Sequence, residues 1–204
     1  MTVTKIEAVT KNRYKVYVDE QFAFVLYKGE LSRYHVAVGE CISENVFHEI
    51  KNTVVLKRAK LRALHLLNDM GRTSKQLQQK LRQSDYTEDI IDKTMEYVSS
   101  FGYVNDEEYA RNFILCRKDR KSQKELRMLL ESKGISEKIL EHVFEECYEH
   151  DAAKEAIAAL LKKKKYNSEN ADYKETQKIY AYLMRKGFKY DDIRQVIQVS
   201  EWNA

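Results

Sequence analysis

Proline is absent from the 204-residue chain and glycine occurs only six times. Sandwiches, barrels and long loops lean on both residues for their turns, so this scarcity excludes them for most of the chain and points to helices. Cysteine is also rare: Cys41, Cys116 and Cys147 are odd in number, far apart and without a CxxC pair. That pattern excludes a disulfide framework and fits a reducing compartment. Long apolar runs are missing too. None exceeds six residues, the length of Phe22 to Tyr27 and of Ala156 to Leu161, against ~20 for a membrane span. The opening MTVTKIEAVTKNRYK lacks the apolar core of a secretory signal, so a cytoplasmic protein with no membrane partner is expected. Nor does one sign of charge dominate. With 36 basic and 32 acidic residues the net charge is +4, so any nucleic-acid footprint must be local.

What is present changes character along the chain. In residues 1–28, Val3, Lys5, Glu7 and Val9, then Tyr14, Val16 and Val18, follow period two. Phe22 to Tyr27 continues in aromatic and β-branched residues, with breaks near Lys11-Asn12 and Asp19-Glu20. This predicts a three-stranded meander, followed by a short helix from about Gly29 to His35 and a turn at Gly39. From Ser43 the period becomes 3.6. Val55, Ala59, Ala63, Leu66, Leu67 and Met70 line one helix face, with Arg58, Arg62, His65 and Asp69 opposite and Gly71 as the stop. Thr73 with Gln76, Ser122 with Glu125 and Asn105 with Glu108 carry capping-box spacing.

A repeat runs through the helical part. Around Leu81, Leu130 and Leu183, apolar residues recur four before, and five, ten and fourteen after: Leu77, Tyr86, Ile91 and Met95 in the first copy. The second has Leu126, Ile135, Leu140 and Phe144, and the third Ile179, Phe188, Ile193 and Ile197. Four residues after each origin stand Asp85, Gly134 and Gly187, suited to a left-handed helix stop. The extra residues of the longer spacing fit a loop at 166–172. The expected fold is mostly α: three tandem three-helix repeats in an elongated array, preceded by a small three-stranded antiparallel β region. The segments are 1–42 (β extension with short helix), 43–103 (first repeat with a preceding helix), 104–149 (second repeat) and 150–204 (third repeat).

Charge is segregated within the repeats. Residues 57–82 hold eight basic residues against Asp69, a net +7, and residues 117–133 carry +4. The run Lys162, Lys163, Lys164 and Lys165 falls at the equivalent junction of the third copy. Residues 137–155 carry −5. The third helix of the first copy (Glu88, Asp89, Asp92, Glu96) and that of the second (Glu137, Glu141, Glu145, Glu149) would be repelled by a phosphate-lined groove, which argues against helix-turn-helix base readout. The third copy is mixed, with Lys189, Arg194 and Gln195 beside Asp191 and Asp192. Any one basic run is most simply a solvated face. Recurrence in three copies favours a shared positive surface for an extended anionic partner.

The segments SFGYVNDEEYARNF (100–113), ELRMLLESKGI (125–135), LQQKLRQSDY (77–86) and YLMRKGFKYDDIRQVI (182–197) together resemble the RecX family, bacterial regulators of the RecA recombinase. The likeness covers about residues 55–199, and the strand region resembles the β extension of some members. The resemblance implies a non-enzymatic inhibitor, without cofactor or metal, that binds RecA filaments on single-stranded DNA. Occupying the filament groove or end, it would reduce ATP hydrolysis, strand exchange and coprotease activity, and so act on homologous recombination, DNA repair and the SOS response. A monomer is the expected state. Arg58, Arg62, Arg72 and Arg82 from the first copy, and Arg117, Arg120, Lys121 and Lys124 from the second, are the expected contacts, supported by Lys162 to Lys165. The same stripe can touch single-stranded DNA without sequence choice. The alternative function is a nucleic-acid-binding regulator acting without RecA.

Other chemistry finds little support in the residues. Five histidines form no HExxH, and His142, Cys147 and His150 fall short of the four ligands of a tetrahedral zinc site. No Gly-rich phosphate loop exists and no carboxylate pair is marked out for acid–base work. Tyr14, Tyr17 and Tyr27, with Arg13 and Lys15, either pack the small sheet on a helix, the commoner arrangement, or form a small nucleic-acid surface. Trp202 is expected to be a peripheral packing anchor.

Overall fold

A computed structural model describes residues 1–148, 151–168 and 170–202, with side chains described through Ile197. The chain divides into two compact units, Met1–Asn105 and Asp106–Ala204.

The first unit opens with an antiparallel sheet in the order β1 (Val3–Thr10), β2 (Arg13–Val18), β3 (Gln21–Tyr27). Two-residue turns at Lys11-Asn12 and Asp19-Glu20 link the strands. Asp19 and Glu20 both take positive φ, 49° and 66°, the tight turn that matches strand twist. Val16 and Val18 of β2 point into the core, whereas Ala23 to Leu26 of β3 are buried in succession. Helix α1 (Lys28–Arg33) follows β3 directly. Ser43 then accepts from the Val46 amide at 3.3 Å and opens α2 (Glu44–Glu49). A π-helical segment at Ile50–Val55 joins α2 to α3 (Leu56–Asp69). Phe24, Leu26, Ile50, Val55 and Ala59 share one apolar cluster, so the sheet is seated on this helix.

Helices α4 (Ser74–Arg82) and α5 (Glu88–Ser100) complete the first triplet with α3, around Ala63, Leu66, Leu77, Leu81, Ile91 and Val98. Thr73 caps α4 through the full capping box with Gln76. Met70 departs from expectation. It lies past the last turn of α3 with extended backbone (φ −164°) and is 58% exposed, so the apolar stripe ends at Leu67. Gly71 takes no left-handed turn; the chain has already left the helix at Met70.

The second unit holds two more triplets, each around its own cluster. Helices α6 (Asp106–Leu115), α7 (Gln123–Ser132) and α8 (Glu137–Cys147) enclose Ile114, Leu126, Leu130, Leu140 and Phe144. Helices α9 (Ala152–Lys164), α10 (Tyr173–Arg185) and α11 (Tyr190–Trp202) enclose Ile157, Ile179, Leu183, Phe188, Ile193 and Ile197. Every repeat position read from the sequence is buried except Tyr86, which is half-buried.

The matched stops also share one geometry. Asp85, Gly134 and Gly187 have φ of 64°, 89° and 86°. In each, the next amide bonds back to the origin leucine carbonyl: Tyr86 to Leu81 at 3.4 Å, Ile135 to Leu130 at 3.1 Å and Phe188 to Leu183 at 3.2 Å. This is the Schellman pattern, which satisfies carbonyls the helix end would leave bare. Among the described residues no helix is long and apolar enough to cross a membrane.

Candidate functional site

In the first unit the basic residues are partly consumed by the fold. Arg58 was expected on the solvent face, but it reaches back to the sheet. Its guanidinium donates to the Val25 carbonyl at 3.0 Å, pairs with Glu30 and lies 4.5 Å from the centre of the Tyr27 ring. Arg72 donates from Nε to the Leu66 carbonyl at 3.1 Å, satisfying the end of α3. Arg82 makes a two-pronged pair with Glu88, at 2.7 and 2.8 Å. That hydrogen-bonded pair raises the Arg82 pKa and lowers that of Glu88. Arg62 is exposed and open.

In the second unit several of the expected cations converge. A cleft of about 760 Å³ is lined by Arg120, Lys121, Lys163, Lys164 and Lys186, with Asp119 as its one acid. Ala159, Leu160 and Tyr182 supply the apolar part of its wall. Local structure explains the convergence. Ser122 caps α7, accepting from the Glu125 amide at 3.1 Å, which sets Arg120 and Lys121 just before the helix. Lys163 and Lys164 occupy the last turn of α9, where the helix dipole favours cations. That helix stops at Lys165 in the left-handed conformation, φ 54°. Tyr182 and Lys186 are four apart at the end of α10.

The tyrosine ring has two cations against it, Lys164 Nζ at 4.5 Å and Lys186 Nζ at 5.7 Å from its centre. The Arg120 side chain is 77% exposed, and its 3.0 Å pair with neighbouring Asp119 is too solvated to hold it there. Lys121 pairs with Glu125. Such a site can hold an extended anion and stack a planar group; its lining offers no nucleophile–base pair.

The remaining expected residues sit elsewhere. Arg117 folds over the Phe113 ring at 4.1 Å and Lys124 lies against Gly187. Lys162 and Lys165 are exposed outside the cleft lining. Sequence reasoning missed Tyr182 and Lys186. Their four-residue spacing, on an α10 turn whose core-facing residue is Leu183, is the signal that could have found them.

One acidic cluster is built differently. Glu107, His142 and Glu146 bring ligand atoms within 4.8 Å of one another. Arg111 already supplies the positive charge there, donating to Glu107 at 3.0 Å, Glu108 at 2.7 Å and Glu146 at 2.8 Å. Its hydrogen bond holds the Glu146 carboxyl below the usual carboxylate range. Of the weaker trio His142, Cys147 and His150, Cys147 is buried in the α6–α8 core, and burial pushes its thiol pKa up. His150 and Glu149 lie outside the described residues, as does the side chain of Trp202.

These elements define the class: a mostly helical protein of three-helix modules behind a small antiparallel sheet. The model of the first three-helix domain of RecX matches residues 59–97, and that of its third three-helix domain matches residues 153–197. A regulatory protein RecX of Caldanaerobacter subterraneus is 29% identical over 202 residues, covering 98% of this chain and all of the relative. One from Clostridium botulinum is 28% identical over 203 residues, covering 96% and 94% of the two chains. Among solved structures, RecX from Lactobacillus salivarius superposes with a TM-score of 0.64 at 28% identity, over 72% of this chain and 97% of that one. Another regulatory protein RecX gives 0.62 at 22% identity over 96% and 98%. In two of its three-helix modules, and over nearly its whole length, the chain is similar to RecX regulatory proteins.

Proposed function

We propose that this protein regulates a RecA recombinase without being an enzyme. It binds RecA filaments on single-stranded DNA and lowers ATP hydrolysis, strand exchange and coprotease activity by occupying the filament groove or its end. The observation that carries this reading is the cleft of the second unit, where five cations and one tyrosine face a single acid. A protein that bridges neighbouring recombinase subunits blocks their rearrangement or the addition of the next subunit. Arg120, Lys121, Lys163, Lys164 and Lys186 carry the contact, with Arg62, Lys124, Lys162 and Lys165 adding long-range attraction. Arg58, Arg72 and Arg82, bound within the fold, contribute little beyond shape. The protein acts in the cytoplasm, where its filament partner forms.

The test is ATP hydrolysis by RecA on single-stranded DNA with the protein added well below one copy per recombinase. Strong suppression at that ratio supports filament binding. Suppression only once the DNA is saturated supports a nucleic-acid-binding regulator that needs no recombinase, a reading the Tyr182 stack would also suit. No effect at any ratio removes both.

A further inference from the structure

The first unit contains a second positively charged recess, from which the recombinase reading takes only Arg62, and that for long-range attraction alone. A pocket of about 390 Å³ opens between the sheet, α3 and the turn after α4. Arg13, Arg58, Arg62, His65, Tyr27 and Tyr86 face it, and no carboxylate lines it. The nearby acids are already paired: Glu30 with Arg58, and Asp85 with Lys15 at 2.7 Å and Arg13 at 3.8 Å. Arg58 is therefore fixed, held by Glu30, by the Val25 carbonyl and by the Tyr27 ring. A guanidinium already immobilised loses little entropy when a ligand adds one more partner.

Arg62 and His65 follow Arg58 by one and two turns of α3, both exposed and neither hydrogen-bonded nor ion-paired among the described residues. Burial pushes the Tyr86 hydroxyl pKa up, so it stays protonated and able to donate. Leu61 and Val25 complete an apolar wall. The volume lies at the small end of ligand sites, ~300–1,000 Å³, which suits one nucleotide and excludes a duplex.

We propose that this pocket binds a single nucleotide unit, its phosphate drawn to Arg62, His65 and Arg58 and its base laid against the Tyr27–Arg58 pair. An acidic peptide would need only the charge. The two tyrosines and the ring-stacked guanidinium are the parts that recognise a planar base. The unit is either a free nucleotide or one residue of a single strand.

The test titrates the full-length protein, without recombinase, with deoxyadenosine monophosphate by calorimetry and with a labelled eight-residue deoxyadenosine oligomer by anisotropy. Inorganic phosphate and a hexaglutamate peptide serve as competitors. The oligomer arm uses protein carrying Arg120→Glu and Lys163→Glu, which silences the cleft of the second unit. Arg62→Ala, an exposed change that leaves the fold intact by circular dichroism, is expected to weaken binding about tenfold or more. His65→Ala is expected to act in the same direction by a smaller factor. Mononucleotide binding lost in Arg62→Ala identifies the unit itself as ligand, while binding of the oligomer alone, lost in the same variant, identifies the strand as its source. Binding unchanged in Arg62→Ala, competition by phosphate or hexaglutamate as strong as by the nucleotide, or no binding of either probe by the protein with Arg62 intact in its own arm overturns the proposal. None of these outcomes bears on recombinase inhibition, which is measured separately.

Discussion

At Asp85 and at Gly187 the chain makes the same left-handed helix stop, with φ of 64° and 86°, yet the two units use it differently. The Asp85 carboxylate reaches the sheet, binding Lys15 at 2.7 Å and Arg13 at 3.8 Å, so a side chain at the stop ties the first triplet to the β region. At Gly187 the bare backbone lets the α10–α11 turn press onto the start of α7. A Cβ there would stand 2.9 Å from Ser122 Oγ and 3.1 Å from Lys124 Cβ. Ser122 Oγ meanwhile donates to the Lys186 carbonyl at 2.6 Å. One backbone device thus serves as a tether for a polar side chain in one unit and as a close-approach point between two helical triplets in the other. The second use bears directly on the basic cleft, because it fixes Lys186 against the segment that carries Arg120 and Lys121.

The largest effect is expected at Gly187. Gly187→Ala combines left-handed strain with a clash against Ser122 and is expected to cost about 2–4 kcal/mol in urea unfolding. Asp85→Ala adds strain of the same kind and removes the tether but meets no clash, so about 1–2 kcal/mol is expected. Ser122→Ala loses both the α7 cap and the bond to Lys186, again about 1–2 kcal/mol in the same assay. Asp85→Gly sharpens the contrast. It relieves the left-handed strain while losing a partly exposed ion pair, so its net change should stay within about 1 kcal/mol.

The smallest effect concerns pH. Hydrogen bonding to Arg111 lowers the Glu146 pKa below its ordinary 4.5. Its stabilising contribution is therefore full above that ordinary value and declines as pH falls through the lowered one. Acid unfolding of Glu146→Gln should lose that part of its pH dependence.

Much of the fold was legible because periodicity reports burial. The period-two run gave the three strands, and the matched leucines fell into one apolar cluster per helical triplet. The left-handed stops could be read at Gly134 and Gly187 from composition, and at Asp85 only because its position matched theirs. Side-chain destinations were less legible. Arg58 lies on a nominally polar face of α3 and Arg72 in the loop that follows that helix, yet both long side chains fold back onto backbone carbonyls, and no sequence spacing encodes that reach. Met70 failed because the helix stopped one residue before the periodic pattern did. In the cleft, Arg120, Lys121, Lys163 and Lys164 were visible as charge runs. Tyr182 and Lys186 were hidden beside the conspicuous Leu183 and Gly187, whose packing roles dominate that stretch.

The central claim is that the cleft of the second unit carries the regulatory contact. The most direct measurement compares inhibition of RecA ATP hydrolysis by the wild type and by the double charge reversal Arg120→Glu with Lys163→Glu, across a range of salt concentrations. Both side chains are exposed, so the fold should survive the change. The account predicts that the reversal abolishes inhibition at low salt and flattens its salt dependence. Inhibition of undiminished strength with an unchanged salt slope would contradict it.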